Sequence, residues 1–293
     1  MANTVNTHLY HIPASLPVTT FSNQEIESPA NQSFLVFSTN PSCEGASSAL
    51  DAATLVDTPS SMDVRISSVF RLNHQLTQWE LANPNEADRA EAKARILTCL
   101  RSLSNNLDLS FLEITSLPDV FSFEPFISGL QSLNLHNSRI KSLPDSLTQL
   151  HALKTLFLES TLLTSLPDSF GNLRALEYLR LNNTPLSSLP DSFRNLHALK
   201  ILNLSKTRLS FLPTSFGHLI ALEYLELNHT PMESFPDSIS ELHPNAKVHL
   251  KGCSYSFLIK VAKEYPNDPR FIYCIERTVA NCLNTTLFSQ IFH

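Results

Sequence analysis

Glycine is scarce in this chain, with five among 293 residues. No G-x-G-x-x-G, G-x-x-x-x-G-K-[ST] or G-x-S-x-G run occurs. That removes the phosphate-cradling loops and the nucleophile elbow, whose backbones need glycine to approach a ligand or make a sharp turn. Cysteine is equally thin: Cys43, Cys99, Cys253, Cys274 and Cys282 are scattered, with no C-x-x-C pair and no zinc spacing. An odd, unpaired set points to a reduced compartment, and no metal or cofactor is expected. Basic residues are missing from the first part of the chain, where the first Lys or Arg is Arg65. With a net charge of −6, a general nucleic-acid binder is excluded. No apolar run approaches the length of a membrane span.

What the chain has is repetition. Leu-Pro or Phe-Pro pairs begin at Leu143, Leu166, Leu189, Leu212 and Phe235, each 23 residues after the last. Between them Leu153, Leu156, Leu158, Thr161 and Leu163 return as Leu176, Leu179, Leu181, Thr184 and Leu186. They return again as Leu199, Leu202, Leu204, Thr207 and Leu209, and then as Leu222, Leu225, Leu227, Thr230 and Met232. Earlier turns are carried by Leu107, Leu109, Leu112, Ile114 and Leu117, and by Leu130, Leu133, Leu135, Ser138 and Ile140. Val248, Leu250 and Cys253 continue the frame downstream, which makes Cys253 a buried structural thiol rather than a nucleophile. A period of this length with a Leu-x-x-Leu-x-Leu core is the signature of a leucine-rich-repeat solenoid.

Within a turn, Leu-x-Leu has period two, so both leucines point to one side of a short strand. One strand cannot hide that side alone. Stacked turns can, and each buried leucine then contributes roughly 1.5–3 kcal/mol. The Thr hydroxyls are expected to bond the neighbouring turn's backbone, for about 0.5–1.5 kcal/mol each. Pro fixes φ where the strand side ends, and the Asp-Ser or Thr-Ser after it suits a turn or an N-cap on the convex side.

Residues 1–60 are rich in Ser, Thr, Asn, Pro and Ala and are expected to be a disordered tail. They lack the basic and apolar regions of a secretory signal, and their composition resembles the export signals of bacterial type III or type IV substrates. Val69, Leu72, Leu76 and Trp79 fall on one helical face. A second helix is expected beyond Asn83-Pro84-Asn85, with Asn85 as N-cap and Ala92, Ile96, Leu100 and Leu103 inward. Such helices would cover the first exposed leucines. At the other end Phe257, Leu258, Val261 and Ala262 form a short helix before Pro266, and Phe271, Ile275, Val279, Cys282 and Leu283 continue at helical spacing. The fold expected is an α/β solenoid: a horseshoe with a concave parallel β-sheet over 106–253, capped by helices over 61–105 and 254–293.

Two runs carry a resemblance to a family. Thr77-Gln78-Trp79-Glu80 and Asn85-Glu86-Ala87-Asp88-Arg89-Ala90-Glu91-Ala92, with Leu107-Asp108-Leu109-Ser110 through Leu117-Pro118, resemble the cap and first repeat of IpaH/SspH-type bacterial effectors. The resemblance covers residues 70–120. It implies a protein that enters host cells and chooses a host target with its repeats. It also implies a C-terminal ubiquitin-ligase domain with a Cys-x-Asp nucleophile. That domain is absent from this sequence, and Cys274-Ile275-Glu276 and Cys282-Leu283-Asn284 lack the motif. The repeats themselves look more like the Leu-Pro-x-Ser-Phe/Ile type of plant and Ras-group intracellular proteins.

Residues alternating with the inward leucines would face the concave side. They are Ser132, Asn134, His136 and Asn137; Thr155, Phe157, Glu159 and Ser160; Tyr178, Arg180, Asn182 and Asn183; Ile201, Asn203, Ser205 and Lys206; and Tyr224, Glu226, Asn228 and His229. All but Ser132 and the last of each set make the expected binding surface, with Phe157 and Ile201 as exposed apolar residues. His136 and His229 are four turns apart and cannot share an ion, and the N-x-[ST] sequons are by-products of the asparagine-rich ladder. The function expected is non-enzymatic: a monomer recognising a host or cellular protein, exported by a specialised bacterial secretion system into the host cytoplasm. Two alternatives stand beside it. One is a ubiquitin-ligase effector or remnant using Cys274 or Cys282. The other is an endogenous cytoplasmic signalling scaffold of the Ras-group type.

Overall fold

A computed structural model describes residues 61–266 and 268–271. The expected tail over 1–60 and the segment holding Cys274, Ile275, Val279, Cys282 and Leu283 lie outside the described residues.

Seven three-residue strands form one parallel sheet in sequence order: β1 (Asn106–Asp108), β2 (Ser132–Asn134), β3 (Thr155–Phe157), β4 (Tyr178–Arg180), β5 (Ile201–Asn203), β6 (Tyr224–Glu226) and β7 (Lys247–His249). The register is set by the frame itself. Leu107, Leu133, Leu156, Leu179, Leu202, Leu225 and Val248 pair in line, and all are buried. A one-residue slip would turn this column out to water, so the alternation fixes the pairing. Beyond each strand the chain turns through a left-handed residue, at Phe111, Asn137, Ser160, Asn183, Lys206 and His229 and finally at Gly252. Each of the first six donates its N–H across to the following turn, as Lys206 does to the Asn228 carbonyl at 2.8 Å. That bond repeats along the edge and holds a conformation these side chains otherwise disfavour.

The threonine ladder differs from expectation. The hydroxyls of Thr161, Thr184, Thr207 and Thr230 donate to the carbonyls of Leu158, Leu181, Leu204 and Leu227 in their own turns, at 2.9, 2.7, 2.8 and 2.6 Å. Each acceptor lies three residues back, so the bond closes a local bend instead of tying turns together. Cys253, at the same place in the last turn, does reach the preceding one: its Sγ lies 3.1 Å from the Leu227 carbonyl. Burial pushes that thiol's pKa up, in keeping with a structural role.

On the convex side each turn ends in a short 3-10 helix, at Asp145–Gln149, Phe170–Asn172, Asp191–Asn195, Phe216–His218 and Asp237–Glu241. Asp145, Asp191 and Asp237 make no capping bond, because Pro144, Pro190 and Pro236 hold the extended position before each helix. The serines link turns instead. Ser192 Oγ accepts the Gly171 N–H at 3.1 Å, and Ser238 Oγ accepts the Gly217 N–H at 3.0 Å. Beneath them Phe170, Phe193 and Phe216 stack nearly parallel, with centroids 6.0 and 6.3 Å apart. The extra residues between the first two turns house α3 (Glu124–Gly129), which buries Phe126 against Phe121.

Helices close both ends. The first pair is α1 (Ser61–Leu81) and α2 (Asp88–Arg101), which bury Leu72, Leu76, Ala92, Ile96 and Cys99. Asn85 is not the N-cap: α2 starts after Ala87 and has no side-chain cap. Leu103 is not inward either, being 84% exposed in a left-handed turn just past the helix end. The lid is fastened by polar groups. Arg89 donates to Glu86 at 2.9 Å, to Ser116 Oγ at 3.0 Å and to the Trp79 carbonyl, while Glu86 accepts the Thr115 hydroxyl at 2.6 Å. At the far end α4 (Tyr255–Glu264) starts at Ser254, whose Oγ accepts the Phe257 N–H, and Phe235, Phe257, Tyr265 and Phe271 cluster behind it.

This fastening carries a pH dependence. Burial alone would raise the Glu86 carboxyl, but hydrogen bonds from Thr115 and Arg89 and the Arg89 charge outweigh it and hold the pKa below its ordinary value. A depressed carboxylate contributes stability that is complete above the unfolded pKa and is lost as pH falls through the folded one. The lid is therefore expected to loosen on acidification below about pH 4, before the repeats unfold. Trp79, the only tryptophan, sits under the Arg89 guanidinium at 4.7 Å, so its fluorescence reports that step alone. In a Glu86→Gln variant the low-pH fluorescence change should vanish, and an unaltered change would place the titrating group elsewhere.

Candidate functional site

Because each strand buries only its middle residue, its two flanking side chains stand on the open face of the sheet, and in β2 to β6 they are half-buried by their neighbours. Register lines them up in columns. Strand starts give Ser132, Thr155, Tyr178, Ile201, Tyr224 and Lys247, and strand ends give Asn134, Phe157, Arg180, Asn203, Glu226 and His249. Two residues on, His136, Glu159, Asn182, Ser205, Asn228 and Lys251 occupy the edge of the same face. Adjacent strands stand about 4.8 Å apart, so side chains in one column are direct neighbours.

The columns divide into two regions. Around β2 to β4 opposite charges face one another, although His136 Nδ1 and Glu159 Oε2 are buried without a hydrogen bond. Arg180 lies over the Phe157 ring at 5.0 Å, and its guanidinium is 3.8 Å from the Glu159 carboxylate. His136 approaches the same carboxylate at 3.6 Å, with Phe111 edge-on to its ring at 5.0 Å. Phe157 and Ile201 are half-buried among these neighbours, not exposed as expected. Asn134 and Asn203 turn their Oδ1 inward to accept the N–H of His136 and Ser205, each at 3.0 Å, so their acceptor atoms are taken.

Along the turns just beyond the strand ends, from that of β3 to that of β7, the face opens into a groove of about 470 Å³ lined by Ser160, Asn182, Asn183, Asn203, Ser205, Lys206, Glu226, Asn228, His229 and Lys251. Ser205 belongs to its floor, only 9% exposed, so it is no projecting contact residue. The Ser205 Oγ and the Asn182 Oδ1 are buried with no hydrogen-bond partner. Tyr224 is bracketed by Lys247, whose Nζ lies 5.1 Å from its ring centre and 3.4 Å from its hydroxyl. Lys251 and Lys247 are missing from the expected binding set. The frame that places Val248, Leu250 and Cys253 also puts them in the columns of Asn228 and Tyr224, so the signal was present in the spacing. Among the described residues no group of His, Cys, Asp or Glu converges to hold a metal ion, and no helix is long and apolar enough to cross a membrane.

Two family descriptions match this region. Residues 128–186 match a leucine-rich repeat and residues 169–244 a leucine-rich repeat region. The array is a leucine-rich-repeat solenoid. Both matches begin beyond residue 120, downstream of the cap and first repeat on which the IpaH/SspH-type resemblance rests. Among solved structures the solenoid is similar to YopM, a leucine-rich effector protein from Yersinia pestis, at 24% identity and a TM-score of 0.49 over 63% of this chain and 54% of that one. A leucine-rich-repeat protein of Leptospira interrogans matches at 21% identity and a TM-score of 0.34, over 55% of this chain and 58% of that one. This chain thus spans little more than half the length of either. No curated protein matches it. Leucine-rich-repeat domains are protein-interaction modules, and their extended sheet face is the surface available for partners.

Proposed function

We propose that this solenoid is a non-enzymatic recognition protein that grips a host protein with the open face of its sheet and masks or scaffolds it. The observation that carries this is the ordered surface of mixed chemistry. Tyr178, Arg180 and Tyr224 are held half-buried by their neighbours beside a polar groove, and such pre-positioned aromatic and arginine groups are the anchors on which interface energy concentrates. Its role as an exported bacterial effector rests on the cap residues 70–120 and on the Ser/Thr/Asn-rich composition of residues 1–60.

The test is affinity capture from a eukaryotic lysate with the full chain, beside a variant with Tyr178, Arg180 and Tyr224 changed to Ala. A protein retained by the native chain and lost by an equally folded variant is the expected result, with a drop in affinity of at least about tenfold. Equal recovery by both would move recognition off the sheet. The effector role is tested separately, by fusing residues 1–60 to a reporter and measuring its secretion-system-dependent delivery into host cells.

A further inference from the structure

The two regions of the sheet face differ in one respect: whether their charges are answered. Glu159 has Arg180 and His136 beside it. In the groove, Lys206 and Lys251 have no carboxylate within ion-pair range among the described residues, and the single acid there, Glu226, is likewise unpaired. The excess of positive charge stands on a chain whose net charge is −6. Below the two ammonium groups the floor is amide and hydroxyl, from Asn182, Asn203, Asn228 and Ser205, and the buried Asn182 and Ser205 oxygens there lack partners. An apolar ligand finds nothing here. A strongly basic one meets two lysines.

We infer that the groove takes an acidic, extended peptide segment of the partner protein, which runs across the strands and places one carboxylate at Lys206 and another at Lys251. Lys206 belongs to the turn of β5 and Lys251 to that of β7, so they stand two strand spacings apart, about 10 Å. A chain extended as polyproline II advances about 3.1 Å per residue and returns a side chain to the same face every third residue, so the matching carboxylates are separated by two intervening residues. Glu226, in the turn between, faces those intervening residues and favours a hydroxyl or amide donor over a third acid. This assignment rests on the sheet face being the binding surface, and it adds which end of that face sets partner choice. Electrostatic contacts of this kind steer encounter and register more than they add raw affinity.

The experiment measures binding of the full-length protein to a fluorescent dodecapeptide of repeated Glu-Ser-Ser triplets, by anisotropy at low and at physiological salt. The same peptide with Gln for Glu and a single-stranded thymidine oligonucleotide serve as comparison probes. Binding of the Glu peptide should weaken with salt, fall at least about tenfold in a Lys206→Glu/Lys251→Glu variant, and be absent for the Gln peptide. An Arg174→Glu/Arg194→Glu variant changes net charge equally at exposed positions outside the groove and should keep native affinity, and unchanged melting of both variants excludes misfolding. No binding of the Glu peptide, equal weakening by both variants, or tighter binding of the oligonucleotide would overturn the assignment. If a captured partner is lost with Tyr178, Arg180 and Tyr224 yet kept with Lys206→Glu/Lys251→Glu, the sheet face stands as the binding surface and the acidic-segment assignment falls.

Discussion

Alanine in place of Gly217 is expected to lower stability by about 3 kcal/mol or more, at or beyond the upper end of what overpacking usually costs. A Cβ there would sit 1.7 Å from the Ser238 carbonyl oxygen, well inside contact distance. Nothing flexible can yield. Ser238 lies in the 3-10 helix Asp237–Glu241, pinned in front by Pro236 and behind by the Ile239 and Leu242 side chains in the core. Gly171 faces the same obstacle, with its Cβ 1.9 Å from the Ser192 carbonyl, and should cost a similar amount. Gly129→Ala is the control, because nothing lies within 4 Å of its Cβ. Urea unfolding of the three variants checks this, and near-native stability of Gly217→Ala would mean that the two turns are not in contact as described.

The second large effect belongs to Arg270. Its Nη1 donates to the carbonyls of Ile239, Ser240 and Leu242 at 2.9, 3.1 and 2.9 Å, where the last 3-10 helix ends. Its Nε donates to Asp268 Oδ1 at 2.8 Å. For Asp268, burial alone would raise the carboxyl, but the hydrogen bonds and charge of Arg270 outweigh it and depress the pKa. Changing Arg270 to Met keeps the stem and removes the charge. It leaves a largely buried carboxylate without its partner and removes a shared donor from the carbonyls at the helix end, at a cost of about 3–5 kcal/mol. Hydrogen exchange should localise the loss to residues 237–264, with the turns of β2 to β4 protected as before. Uniform loss across all turns would mean that the C-terminal lid is not a separate fastening. A partial rescue by Asp268→Asn in the same chain would show the two groups acting as one.

The solenoid was legible because its information is local and periodic. Leu156, Leu179 and Leu202 announce their register by spacing alone, and the strands fall where period two predicts. What escaped is the traffic between turns. The sequence repeats threonine at a fixed place, but whether its hydroxyl serves its own turn or the next depends on which carbonyl lies within its reach. Asn85 has the chemistry of a helix cap, yet the carboxylate of Glu86 is drawn into Thr115 and Arg89, and the helix starts later. Of the candidate site, the faces of Tyr178, Arg180 and Tyr224 could be assigned from alternation. The burial of Ser205 and the unanswered charge of Lys206 and Lys251 are properties of neighbours 23 residues away. A single turn read alone does not contain them.

The alternation of glycine along the convex side makes the array count in twos. Gly171 accepts the turn of Ser192 and Gly217 that of Ser238, whereas the intervening turn carries Arg194 at the corresponding place. The building block of this surface is thus a couple of turns, one hollow and one filling it. A lineage that lengthens or shortens such an array by whole couples keeps every hollow filled, and one that adds or loses a single turn sets two like surfaces against each other. Residues on the sheet face can change one at a time without disturbing that fit, whereas inserting a single turn between Gly171 and Ser238 would disturb it.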